Sequence, residues 1–203
     1  MPQTIHDEVR NFEARLGLPT GFYSNLLRED DWSFVIKLNA MFEGACTHVL
    51  AERLHAPEIS GALAQLDFAN TKFGKVALLC VLGAITSEQE TVLRKLAELR
   101  NDLVHNIAKI NFSFESYVGA MDKNQFKTLV KNFGHGVSDS IEIANERVPK
   151  DKFVRENPKV SLWLTAAEIL ACLSVEFKVA ELHLKTLALS ELQELTAPIS
   201  PPH

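Results

Sequence analysis

Ser87-Glu88-Gln89-Glu90-Thr91-Val92-Leu93-Arg94-Lys95-Leu96-Ala97-Glu98-Leu99-Arg100-Asn101-Asp102-Leu103-Val104-His105-Asn106 decides how the chain is read. It is preceded by Thr86, and a hydroxyl residue followed three positions later by Glu or Gln is a helix-start signature. The hydroxyl accepts a free backbone N–H of the first turn, and the later side chain reaches back to the cap. At about 100° per residue, Val92, Leu96, Leu99, Leu103 and Ile107 fall within a stripe roughly 80° wide. That face is committed to a core, and the spacing predicts a helix over residues 87–110. Asn101 and His105, four apart, share the opposite face, with Arg94 and Glu98 near the same meridian and Arg100 at the edge of the apolar stripe.

Outward from this helix the same period recurs, and no run of β-branched residues alternates with polar ones long enough to predict a strand. A first helix is expected over 4–16, stopped by Gly17 and Pro19, then a short piece at 21–27. Asp30 or Asp31 is placed to cap a long helix over 32–54, with Phe34, Leu38, Met41, Phe42, Ala45, Val49 and Leu54 inward. A short helix is expected over 58–66, and one over 71–84, apolar all round from Val76 and stopped at Gly83. Residues 111–156 read as a peripheral excursion with one helix over 123–133, ended by Gly134 and Gly136 around His135. A last helix over 161–194 offers Trp163, Leu164, Ala167, Leu170, Ala171, Leu173, Val175, Val179, Leu182 and Leu187 as its inner face, before a frayed Pro-containing tail over 197–203. The expectation is all-α: one helical domain as an up-and-down antiparallel bundle, its core formed by about 22–110 and 157–195.

With 203 residues, 46% hydrophobic and 23% charged, the chain is long enough for one domain with a sizeable core. The 21 Lys and Arg against 26 Asp and Glu give a net charge of −5, which argues against a surface basic all over. Cys46, Cys80 and Cys172 are far apart in apolar runs and read as buried free thiols. The polar start, Gln3 to Arg10, has no secretory core, so the cytoplasm is the expected compartment. The apolar stretches 76–85 and 166–175 are about half of the ~20 residues a membrane span needs, and read as core.

Arg100-Asn101-Asp102-Leu103-Val104-His105 resembles the Arg-x4-His signature of the HEPN superfamily, with a polar residue directly after the Arg. Over about residues 22–110 the order of features is also similar to the mannitol operon repressor branch of that fold. These are the Asp30-Asp31-Trp32 helix start, Gly74-Lys75-Val76-Ala77-Leu78, the Leu82-Gly83-Ala84-Ile85 stop and the signature helix. The resemblance implies a small α-helical bundle, a homodimer, and in many members a metal-independent endoribonuclease of toxin–antitoxin or phage-defence systems. RNA and a cognate antitoxin are the implied partners, with no cofactor, metal or membrane. The implied catalytic residues are Arg100 on the phosphate, His105 for proton transfer, and Asn101 orienting the imidazole or donating to a phosphoryl oxygen. An imidazole suits that work because its ordinary pKa, about 6.5, lies near working pH. Arg100 and His105 lie about 140° apart on an ideal helix, so a composite site at a two-fold interface is the expected arrangement. The implied alternative is a non-catalytic regulatory module acting through protein contacts or transcriptional control. Some members carry a Tyr two positions after the His as a nucleotidylation target, and here that position is Ile107.

Blander readings stand beside these. Arg100 could pair with Glu43 or Glu52, and Asn101 with His105 across the helix surface. Cys46 and His48, with Glu52 and His55, lack metal geometry because an i, i+2 pair points to different faces. Lys123, Lys127 and Lys131 form one helical line, either a phosphate-tracking stripe or a solvated face. DNA binding through that segment has no helix-turn-helix pattern behind it. Phe112, Phe114 and Tyr117 are expected to anchor the excursion on the bundle.

Overall fold

Asp30 opens the central helix by accepting the Ser33 N–H at 2.9 Å, so of the two acidic candidates it is the cap. The computed structural model describes residues 4–143 and 146–196; the expected tail over 197–203 lies outside the described residues. The elements are α1 (Ile5–Arg15), α2 (Phe22–Asn25), α3 (Asp31–Arg53), α4 (Ser60–Ala64), α5 (Lys75–Val81), α6 (Ser87–His105), α7 (Phe114–Gly119), α8 (Lys123–Phe133), β1 (Ser140–Ile143), β2 (Glu146–Pro149), α9 (Lys150–Glu156) and α10 (Pro158–Thr196). The protein is an all-α helical bundle carrying one small hairpin.

The frame is α3, α6 and α10, running up, down and up. Lys159 at the start of α10 pairs with Asp31 at the start of α3, and Arg53 at the end of α3 pairs with Glu176 farther along α10. These two helices therefore share a direction. The start of α6 lies at the opposite end, where Arg53 bonds the Leu82 carbonyl just before it and Gln89 reaches Cys172 of α10. Soon after α6 ends, the Phe114 N–H returns to Asp31 at 2.8 Å. α3 is the innermost helix, burying Phe34, Val35, Leu38, Met41, Phe42, Ala45, Cys46, Val49 and Leu50. α1 lies on α10, where Phe12 meets Phe177 and Glu8 meets Ser174 and Lys178.

Local sequence explains most boundaries. Gly17 and Gly83 take φ of +68° and +71°, left-handed stops that a side chain would strain. α5 is shorter than the expected 71–84. Asp67 Oδ1 accepts the Ala69 and Asn70 N–H groups, and Asn70 Oδ1 accepts those of Lys72 and Phe73, holding 67–73 in turns. The helix expected over 58–66 is reduced to one 3₁₀ turn and α4. The hairpin β1–β2 was not anticipated. Ile141 and Ile143 alternate with polar residues over only four positions, too few to register as a strand pattern.

The 111–156 stretch is more than a peripheral excursion. Phe114, Val118, Phe126, Leu129, Phe133 and Val154 join the same core cluster as α3, α6 and α10. Its glycines also do something other than turn the chain. A Cβ on Gly136 would lie 2.7 Å from Thr165 Cα, so that glycine lets the turn after α8 press onto α10, where the Gly136 N–H meets Thr165 Oγ1 at 3.0 Å.

The inner face of α10 differs from expectation in its second half. Ala167, Leu170 and Leu173 are buried, but Val175, Val179, Leu182 and Leu187 are exposed, and the covered set turns to Ser174, Phe177 and Ala180. By length and composition α10 passes for a membrane span, with a mean hydropathy of 1.6 over its most apolar 18 residues, of which half are buried in the bundle.

Candidate functional site

Thr86 and Gln89 form the reciprocal cap of α6, with Thr86 Oγ1 accepting the Gln89 N–H and Gln89 Oε1 accepting the Thr86 N–H. Val92, Leu96, Leu99 and Leu103 are buried, which fixes the rotation of the helix. Ile107, the fifth residue of the expected stripe, is instead 82% exposed. The helix stops at His105, not near residue 110, because Asn106 leaves helical geometry and its side chain accepts the Ala108 N–H. Lys109 folds back onto Asp102 and holds the turn.

The three signature residues are thus delivered to the surface at one end of the bundle. Arg100 is half-buried, and Asn101 and His105 are exposed. Arg100 Nη1 donates to Asn101 Oδ1 at 3.0 Å, so the amide steers the guanidinium and not the imidazole. Glu43 is occupied by Lys75 at 3.6 Å, leaving Arg100 unattached to that carboxylate. Among the described residues no group hydrogen-bonds the His105 imidazole. Arg94 has a structural job: it binds Glu90 and the Ala69 carbonyl, tying α6 to the turns before α5.

Around His105 lies a feature that sequence reasoning missed. Val104 is 42%, Ile107 82% and Ile110 56% exposed, an apolar margin on the same end of the helix as the imidazole. The available signal was Asn106, whose side chain competes for the backbone and ends the helix before Ile107 can turn inward.

The other candidates are placed as follows. Cys46 is buried and its thiol is pushed up to about 12 by desolvation, whereas His48 is exposed on another side of α3. Cys80 and Cys172 are only partly buried, and all three thiols are free. Burial is therefore true of one cysteine out of three. The Cys80 thiol is raised first by its hydrogen bond with Glu90. Among the described residues no His, Cys, Asp and Glu cluster has the makings of a metal site. Lys123, Lys127 and Lys131 stand exposed along α8. Phe112, Phe114 and Tyr117 pack together and Phe114 meets Phe34, anchoring α7 as expected.

No family model, curated protein or solved structure matches this chain. The fold and site define the class directly: an all-α bundle presenting an Arg–Asn pair and an unpartnered His at the end of one helix, bordered by uncovered apolar side chains.

Proposed function

We propose that the protein is a HEPN-type, metal-independent endoribonuclease whose active site is completed by a second copy of the chain. The observation that carries this reading is the exposed, unpartnered His105 set beside Val104, Ile107 and Ile110. An apolar margin of this kind is costly to leave in water and suits a contact across a two-fold axis. Pairing there would bring two imidazoles and two Arg–Asn pairs toward one groove, which offsets the divergence of Arg100 and His105 on a single helix.

In that groove one neutral imidazole takes the proton of a ribose 2′-hydroxyl. The 2′-oxygen attacks the adjacent phosphorus, the bond to the 5′-oxygen breaks, and the other imidazole, protonated, supplies the leaving oxygen with its proton. Arg100, held by Asn101, braces the non-bridging phosphoryl oxygens where charge accumulates. The products are a 2′,3′-cyclic phosphate and a 5′-hydroxyl. The test is a joint measurement of mass and cleavage: Ile107→Glu should yield a folded monomer that no longer cuts RNA, whereas a dimer that still cuts would remove the composite site. A regulatory module is the second reading, favoured by the Arg100–Asn101 bond, which satisfies the guanidinium without a ligand. It predicts an Ile107→Glu phenotype in partner capture with no cleavage by the wild type.

A further inference from the structure

Between α6 and α8, away from His105, runs a cleft of about 680 Å³. Leu99, Leu129 and Met121 contribute to its floor. Its size falls in the range of small-molecule sites, roughly 300–1,000 Å³, with the usual apolar lining and few polar groups. One of those groups is out of place for a purely structural crevice. Asn132 is only 6% exposed, yet its side-chain amide has no hydrogen-bond partner among the described residues and borders the cleft. A buried amide left unpaired costs about 1–3 kcal/mol, so natural interiors rarely keep one without a use.

The charge around the opening narrows the class of ligand. Lining ionisable side chains are Lys95, Glu98 and Asp102, one positive against two negative, a net of −1. Glu98 and Asp102 are four apart on one face of α6, and both carboxylates raise the Tyr117 phenol above its ordinary range, after burial as the first cause. Their fields therefore converge on the end of the cleft that Tyr117 lines. The lysines that answer them, Lys95 and Lys109, are 44% and 40% exposed, and such surface pairs are weakly held and readily exchanged.

We infer that the α6–α8 cleft binds a small organic amine, its apolar body on Leu99, Leu129 and Met121, its ammonium at Glu98 and Asp102 beside Tyr117, and its hydrogen-bonding edge at Asn132. The ring face of Tyr117 adds a cation–π surface for the same ammonium. Anions are repelled by the rim. This site does not depend on the ribonuclease reading, because none of Arg100, Asn101 and His105 lines it.

The test is an NMR titration of the full chain with three isosteric probes: tryptamine, 3-methylindole and indole-3-acetate. Saturable shifts of the Asn132 side-chain amide and of the Glu98 and Asp102 backbone amides are expected with tryptamine. Indole-3-acetate should bind at least about tenfold more weakly, and 3-methylindole in between. Thr128→Trp, an exposed substitution on α8 that fills the cleft, should abolish the shifts while leaving the rest of the spectrum intact. Equal affinity for the three probes, shifts mapping elsewhere, shifts that survive Thr128→Trp, or no saturable shift at all would each overturn the assignment.

Discussion

Replacing Asp31 by Ala should loosen the joint at which α3, α7 and α10 meet. One carboxylate oxygen accepts the Phe114 N–H at 2.8 Å, and the other faces Lys159 Nζ at 3.2 Å. The first interaction is a charge-assisted hydrogen bond to an otherwise free N–H at the start of α7, a type worth about 1.5–3 kcal/mol. The second is discounted to about 0.5 kcal/mol because Lys159 keeps the Glu29 carbonyl and the Phe34 ring face as partners, and Asp31 is 24% exposed. The expected loss is therefore about 2–3 kcal/mol. Asp31→Asn retains an oxygen for the Phe114 N–H and should lose only about 1 kcal/mol. Urea denaturation followed by circular dichroism reads this directly: with a slope of roughly 2–3 kcal/mol per molar, the Ala variant should lose about 1 M in midpoint. Hydrogen exchange should locate the loss in residues 114–121 before it reaches α3. An Ala variant within about 0.5 kcal/mol of wild type, or an Asn variant as damaged as the Ala one, would refute this account of the joint.

Other outcomes follow from single groups. The Glu8 carboxyl sits below its ordinary value because Lys178 and then Ser174 hydrogen-bond its ionised form. Its contribution is full above the unfolded value near 4.5 and is lost as pH falls through the folded one, so exchange protection of α1 should drop in mildly acidic buffer before that of α3. A Glu8→Gln protein should show no such step. The Cys46 thiol, pushed up to about 12 by burial, should resist iodoacetamide at pH 8 until the chain unfolds, and peptide mapping should find native label on Cys80 or Cys172 instead.

Much of the fold was legible wherever a local signal had a single physical meaning. Asp30, Thr86 with Gln89, Gly17 and Gly83 act as caps and stops because only their chemistry satisfies or bends the backbone there. The second half of α10 was not legible. Val175, Val179 and Leu182 are as apolar as Leu170 and Leu173, so the pattern has no phase to separate the covered face from the open one. α7 and the hairpin escaped because six and four residues do not span enough turns or alternations. At the site, the sequence correctly placed Asn101 and His105 outward, but it could not give the partner of Asn101. That depends on rotamers of adjacent side chains, which made Arg100 the donor. The Asn132 amide was invisible for a different reason: a buried, unpaired group is a property of packing between α6 and α8, not of any spacing within one helix.

The central claim, catalysis by Arg100 and His105, is tested most directly by incubating total RNA and tRNA in EDTA with wild type, Arg100→Ala and His105→Ala proteins, then analysing the product ends. Both side chains stand at the surface of α6, so truncation should cost less than about 0.5 kcal/mol of stability, and any lost activity is chemical. The account predicts cleavage by wild type alone, leaving 2′,3′-cyclic phosphate and 5′-hydroxyl ends. Intact RNA with a folded, dimeric wild type, or cleavage that persists in the His105→Ala protein, would contradict it.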